Sequence, residues 1–440
     1  MKKRWLRAVV VLLAEIGVLA AVVWGVSRDA ASPDETEFAT ERPDVAPADN
    51  AFAYFLEATN LLVDTTNDAL LVDFRMGKTP PSDELRELMA KNAECLALVK
   101  RGTACAICVT PPVETIETLT PYVNPWLHMQ RILDARARLA RLDGRFAEAA
   151  DDLAVGMRFG DLVQKDPPCL IAYLVGVAIF SSAAEFTMEL ARDPAVPPET
   201  LAQLAAALET IGPFDGGLVE ALKAEHRMTV NVVDDLYAKR DQRTMAATLG
   251  IKTSRRATWF LNAPYCFKPN RTKRELAADH RHWIDNSSRF YAEMDRDGSD
   301  PEEPGRLAFL LPNVLGKYLL AILSPSWEKL LETKCRTDGI LAGAKLAVAC
   351  NRFARDKGRW PAELQEVVPG YLNEVPRDPF DGAPFRYSAE NGLVWAVGTN
   401  LTDEGGSMRV PGVEEAAAAS RNRQKAEDFV FELKPLEKAE

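Results

Sequence analysis

Histidine and cysteine are scarce, with four and seven in 440 residues. Seven cysteines are too few and too scattered for the disulfide framework of a small secreted domain. Zinc is not called for either. His128, His226, His280 and His282 contain no H-x₃₋₅-H pair, and the single C-x-x-C has no second ligand pair to complete a site. His280 and His282 stand two apart and diverge on a helix, so the histidines are read as surface or hydrogen-bonded groups. Positive charge is also lacking. A net charge of −11 speaks against a nucleic-acid partner, which would need a basic face. No catalytic motif and no repeat at a fixed period is found, so no enzyme class is assigned.

What the chain does have is an apolar run from Ala8 to Val26 whose one charge is Glu15. As a helix it reaches roughly the thickness of a bilayer's hydrocarbon core. Lys2, Lys3, Arg4 and Arg7 precede it, while acidic residues dominate after Arg28. That asymmetry predicts a cytoplasmic N-terminus and an extracytoplasmic body. Trp5 and Trp24 bracket the run as interfacial aromatics. A cleaved signal peptide is the alternative. Its core is usually shorter and ends at a small-x-small site, which Val26-Ser27-Arg28-Asp29 does not offer. Glu15 is read as a protonated, tolerated carboxyl in a single-pass anchor. Type IV pilins carry a comparable Glu, but the Gly that ends their leader is missing here.

Residues 27–48, rich in Asp, Glu, Pro and Ala, are expected to be a linker lifting the body off the membrane. Asp49 or Asn50 should cap the first body helix, and Ser82 or Asp83 a second. Cys105 and Cys108 are read as a local disulfide or two plain thiols, since Val109-Thr-Pro-Pro breaks the strand–helix setting that redox chemistry would need. Gly144, Phe146, Ala149 and Leu153 mark one turn between two helices, resembling the junction of a tetratricopeptide pair; a lone copy implies an αα-hairpin. Cys169 to Ala184 carries no charge and is expected to be a buried central helix, being short for a second span. Basic and aromatic residues mix between Lys252 and Arg281, which predicts a helix pair with a solvated basic face or a membrane-surface contact. Asp295-Arg-Asp-Gly opens an acidic loop without the remaining ligand positions of a calcium-binding hand.

Near the C-terminus the pattern changes. A helix should stop at Gly358, with a short helix over Ala362–Val368. Phe385-Arg-Tyr-Ser and Leu393-Val-Trp-Ala-Val read as strands joined through Asn391-Gly392, and Asp428-Phe-Val-Phe-Glu-Leu as a third after a helical insertion. The order of Gly358-Arg-Trp-Pro361, Pro376-Arg-Asp-Pro-Phe-Asp-Gly382, a hairpin and Asn400-Leu-Thr-Asp-Glu-Gly-Gly resembles the C-terminal part of the major pseudopilin of type II secretion. The resemblance covers about 90 residues and implies calcium in the acidic loop. Asp403 and Asp428 would supply carboxylates, with Glu404 a third ligand and the Leu401 carbonyl a fourth. The insertion of about 20 residues before Asp428 departs from that family. The arrangement as a whole, with Asp49-Asn-Ala-Phe and Leu174-Val-Gly-Val-Ala-Ile, is similar to uncharacterised membrane-anchored helical proteins of planctomycete-type bacteria, which implies an architecture and an address but no activity.

The expected protein is mainly α. A tail (1–7), a transmembrane helix (8–26) and a linker (27–48) lead to an extracytoplasmic α-helical domain (49–332). A small α+β module with a short antiparallel sheet (333–433) and a tail (434–440) follow. The expected role is a non-catalytic envelope interaction or assembly protein, with the membrane and envelope proteins as partners. A pseudopilin-related secretion component with calcium, and a hydrolase with its site in the helical domain, are the alternatives.

Overall fold

The computed structural model describes residues 15–18, 25, 27–40, 42–63, 68–115, 117–118, 120–239, 265–296, 312–324, 326–410 and 427–434. Among the described residues the chain is mainly helical, 62% of them, with a small three-stranded antiparallel sheet. Among the described residues there are twelve α-helices. They are α1 (Ala51–Leu61), α2 (Asp68–Arg75), α3 (Asp83–Lys91), α4 (Ala93–Thr103), α5 (Val123–Leu142) and α6 (Phe146–Lys165). Then follow α7 (Leu170–Arg192), α8 (Pro198–Glu209), α9 (Asp215–Lys239), α10 (Pro269–Ser287), α11 (Val314–Leu323) and α12 (Trp327–Lys357). Trp5, Trp24, most of the 8–26 run, residues 252–264 of the basic–aromatic stretch and residues 411–426 of the insertion before Asp428 lie outside the described residues. Glu15 is helical and exposed.

Local chemistry sets the helix ends. The Asn50 side chain caps α1 by accepting from Phe52 N, and Ser82 caps α3 by accepting from Leu85 N. Between α5 and α6, Gly144 takes φ +74° and donates to the Arg141 carbonyl, while Arg145 N closes on Ala140 O at 2.8 Å. This pair of bonds is the Schellman ending, which needs a residue free to turn left-handed. The expected αα-hairpin is there.

Helix α7 is the centre of the body, packed against α5, α6, α9 and α12. Among the described residues it is the one helix long and apolar enough to cross a membrane, and neighbouring helices cover most of it. The α6–α7 contact is backbone to backbone. A Cβ on Gly160 would collide with the Phe180 backbone, and one on Gly176 with that of Gln164. One apolar core gathers α1–α5 around Phe55, Trp126 and Phe159. A larger one runs from α5 through α7, α8 and α12 into the sheet, as far as Leu433.

The three strands are β1 (Arg386–Ser388), β2 (Leu393–Val397) and β3 (Asp428–Glu432), in the order β1-β2-β3. Tyr387 pairs with Val394, and Trp395 with Val430. Phe429 and Phe431 lie over Gly339 and Gly343 of α12, where a larger residue would leave the rings no room. The boundary expected at residue 333 therefore falls inside one helix. At about 1.5 Å per residue, the 31 residues of α12 extend roughly 45 Å and serve both helical body and sheet. Gly358 ends it at φ +68°. The short helix expected over Ala362–Val368 shrinks to a 3₁₀ turn, Leu364–Val367.

Residues 27–48 are not a free linker. Asp29 accepts from Asn270 N (2.8 Å) and Arg271 N (3.1 Å) at the start of α10, where unpaired amides favour a carboxylate. Lys268 Nζ donates to Arg28 O, and Asn270 Nδ2 to Ala30 O. Arg42 donates to Thr110 O, and Arg281 holds Glu37. Phe38, the one aromatic in this acidic stretch, is 3% exposed. The segment is a strap laid along α9 and α10, because Asp29, Glu37, Arg42 and its single ring find partners on the body.

Candidate functional site

The acidic loop between β2 and β3 brings Asp403, Glu404 and Asp428 together but aims them apart. Asp428 lies at the head of β3 and is buried. Its Oδ2 accepts from Gly406 N and Ser407 N, both at 2.9 Å, and its Oδ1 from Glu404 N at 3.4 Å. Asp403 accepts from Trp395 Nε1 (2.9 Å) and Gly405 N (3.0 Å), and faces Arg386 Nε at 3.5 Å. The Trp395 bond, ahead of the arginine, holds its carboxyl below the usual range. Glu404 Oε1 accepts from Asn400, while Oε2 is buried without a partner. Desolvation and the neighbouring Asp428 raise the Glu404 carboxyl. Leu401 stands at φ +58°.

Calcium takes six to eight oxygens at once. Among the described residues no three His, Cys, Asp or Glu side chains converge as a metal-binding group. As arranged, the loop offers one free carboxylate oxygen. Backbone amides, the Trp395 indole, the Asn400 side chain and a guanidinium engage the others, so the described donors, as arranged, fall short of what a calcium ion takes.

Arg386 is the hub that sequence reasoning missed. From β1 it pairs with Asp378, Asp381 and Asp403 and ties the Pro376–Gly382 turn to the acidic loop. Asp378 is fully buried and also accepts from Phe380 N (2.8 Å) and Val397 N (2.7 Å). Burial outweighs those bonds and Arg386, and pushes its carboxyl up to about 6. An arginine in alternation with turn-forming acids was the available signal.

Cys105 and Cys108 are free thiols. Asn50 pins the segment that follows them, accepting from Val109 N and donating to Val109 O, each at 2.9 Å. Cys108 is buried, and burial pushes its thiol well up, away from the thiolate that redox or metal chemistry uses.

A second cluster was not foreseen. His226 on α9 and His280 on α10 are each 1% exposed, with ring centroids 5.2 Å apart. Phe38 of the strap stacks on His226 at 3.8 Å, and Trp327 meets His280 edge-on at 5.1 Å. His280 Nδ1 lies 3.0 Å from the Leu276 carbonyl, which can only accept, so Nδ1 carries the proton and Nε2 is left unpartnered. Neither nitrogen of His226 has a hydrogen bond, though Nε2 faces Glu35 Oε1 at 3.6 Å. Desolvation, helped by His280, Arg281 and Lys273, lowers His226 to about 3; desolvation lowers His280 to about 4. Burial raises Glu35. These imidazoles are neutral and inside the protein. The helical divergence of His280 and His282 does hold, for His282 turns outward to the Asp295 carbonyl. The expected solvated basic face is likewise corrected at Lys268 and Lys273, buried against Arg28 O and Asp234.

Two grooves flank the segment 361–375, which follows α12. One, of about 310 Å³, lies between α8 and α12 under Pro369–Asn373. The other, of about 610 Å³, is bounded by Leu364, Val375, Phe385 and Tyr387 and shares Asn373 with the first. No protein-family model, no curated protein and no solved structure matches this chain.

Proposed function

We propose that the chain is a single-pass, extracytoplasmic, non-catalytic interaction protein of the cell envelope, which holds its cap grooves toward a protein partner. The observation that carries this reading is the strap. The Arg28 carbonyl and the Asp29 carboxylate are bonded to the start of α10, two residues or so beyond the apolar run. An inserted run therefore seats the body at the bilayer surface. Trp327, at the first turn of α12, sits against the same strap pocket, and the first groove meets that helix at Lys345, Ala349 and Arg352, some 18–25 residues along it. That is on the order of 27–38 Å from Trp327 along the helix. The walls of the grooves mix alanines and the rings of Tyr371, Phe385 and Tyr387 with the charges of Lys345, Arg352, Glu374 and Arg377, chemistry suited to gripping a peptide segment.

The test is fractionation with topology. The full chain should stay in the membrane pellet after an alkaline carbonate wash, and protease added outside intact spheroplasts should digest the body. Recovery in the soluble fraction, or protection from external protease, overturns the placement. A photo-crosslinker at Asn373 should then give a discrete envelope adduct that one at Glu87, exposed on α3 and lining neither groove, does not. The pseudopilin-related alternative makes a different demand, namely that calcium raise the melting temperature by binding the folded state.

A further inference from the structure

The strap closes over a pocket whose polar atoms are buried and unmatched. Phe38 fills it, and the 3₁₀ turn Thr36–Phe38 exists through bonds from Phe38 N to Glu35 O and Ala39 N to Thr36 O. Facing His226 are Glu35 from the strap, His280, Lys273 and Arg281 from α10, and Asp234 of α9 through its bond to Lys273. Trp327 covers the pocket from α12. A proton arriving on either imidazole would stand among aromatic rings beside two cations already paired with Asp234 and Glu37, with half-buried Glu35 alone turned to it. A buried charge so poorly paired is costly.

We infer that residues 29–40 are a releasable strap, and that acidification opens it by charging His226 and His280 in the open form. Opening returns the imidazoles to water, where they take up protons near pH 6.5. The closed form refuses those protons, because both groups are held well below that value. Closure is therefore fully favoured above pH 6.5 and weakens as pH falls. Linkage sets the size of the effect at up to tenfold per pH unit for each imidazole freed. Glu35, raised in the closed form by burial, acts the other way as it protonates. The useful window is pH 6.5 to 5. A strap of about 12 residues spans up to roughly 40 Å when extended. Opening would let the body swing away from its membrane end, a consequence that rests on the anchored reading above.

The experiment is hydrogen exchange on the full chain in detergent micelles. Protection factors, corrected for intrinsic rates, are read at Thr36, Phe38 and Ala39 at pH 7.5 and 5.0. Protection at these three should fall about 30-fold if His226 alone is freed, and by more if both imidazoles are. Amides in the middle of α5 should hold. His226→Phe keeps the stacked ring and removes the titration, so the fall should shrink by that factor. Phe38→Ala should open the strap at both pH values with α5 still protected. Unchanged strap protection at pH 5, an undiminished fall in His226→Phe, or parallel loss in α5 overturns the inference. Because exchange is read in micelles, a chain recovered from the soluble fraction would defeat the anchored reading alone.

Discussion

Asp378 and Arg386 show how much one buried charge can demand. The carboxylate has no exposure, while the guanidinium retains 19%. Replacing Arg386 with Met keeps the stem's packing but leaves Asp378 without its cation, and removes a partner from Asp381 and Asp403 as well. Breaking such a pair from one side costs about 3 kcal/mol or more. Equilibrium denaturation of Arg386→Met should show a loss of that order, and Asp378→Asn in the same background should recover part of it. Recovery fails if Arg386 acts through its stem alone. Asp428 makes the companion case in the acidic loop. Its two oxygens collect three backbone amides, so Asp428→Ala strips acceptors from buried donors at about 1–3 kcal/mol. Since those oxygens are already engaged, calcium at millimolar concentration should leave the melting temperature of the full chain unchanged. A rise abolished by Asp403→Ala or Asp428→Ala would reinstate a metal-held loop. The three acids were legible in the sequence as neighbours. What each carboxylate faces was not, because that depends on Arg386 and on amides positioned by the fold.

Among the elements, helices were the most legible. Spacing of apolar residues, Pro at N-termini and Gly at ends placed α5, α6, α7 and α12, since each is a local bargain between periodicity and capping. The hairpin through Gly392 was legible for the same reason, with φ +64° at that residue. The strap was not. It has no periodicity, and its hold is made of bonds to residues some 240 positions away. Nor was the reason for glycine inside α6 and α7 visible until the two helices were laid together. Gly160 tests that packing. An added methyl there meets backbone, which cannot rotate away, so Gly160→Ala should destabilise despite the better helix propensity of alanine. Overpacking of this kind costs about 1–3 kcal/mol. Gly216, with open space around its missing Cβ, is the matched control and should gain up to about 1 kcal/mol on the same change. Chemical denaturation of the two variants should move in opposite directions. Equal effects would mean that α6 and α7 do not touch so closely.

At the scale of the whole molecule, the two histidines couple stability to pH. His226 and His280 are 54 residues apart in sequence, and no motif joins them. Only the crossing of α9 and α10, with the strap above and Trp327 below, makes them one site. The unfolded chain takes up protons at both near pH 6.5, and the folded chain does so only near 3 and 4. The unfolded state thus binds more protons throughout that interval, and folding stability must fall as pH falls. Between pH 6.5 and 5 the loss from the pair comes to about 3 kcal/mol. Buried carboxylates such as Asp378, raised to about 6, pull the other way as they protonate, so the wild-type curve is a sum. The difference between wild type and a His226→Phe, His280→Phe double variant isolates the imidazoles. Melting curves of both in micelles from pH 6.5 to 5 should differ in slope, with the variant losing less stability by roughly that amount. Parallel curves would mean that these rings are already solvated in the folded protein, and the closed aromatic pocket would have to be abandoned with them.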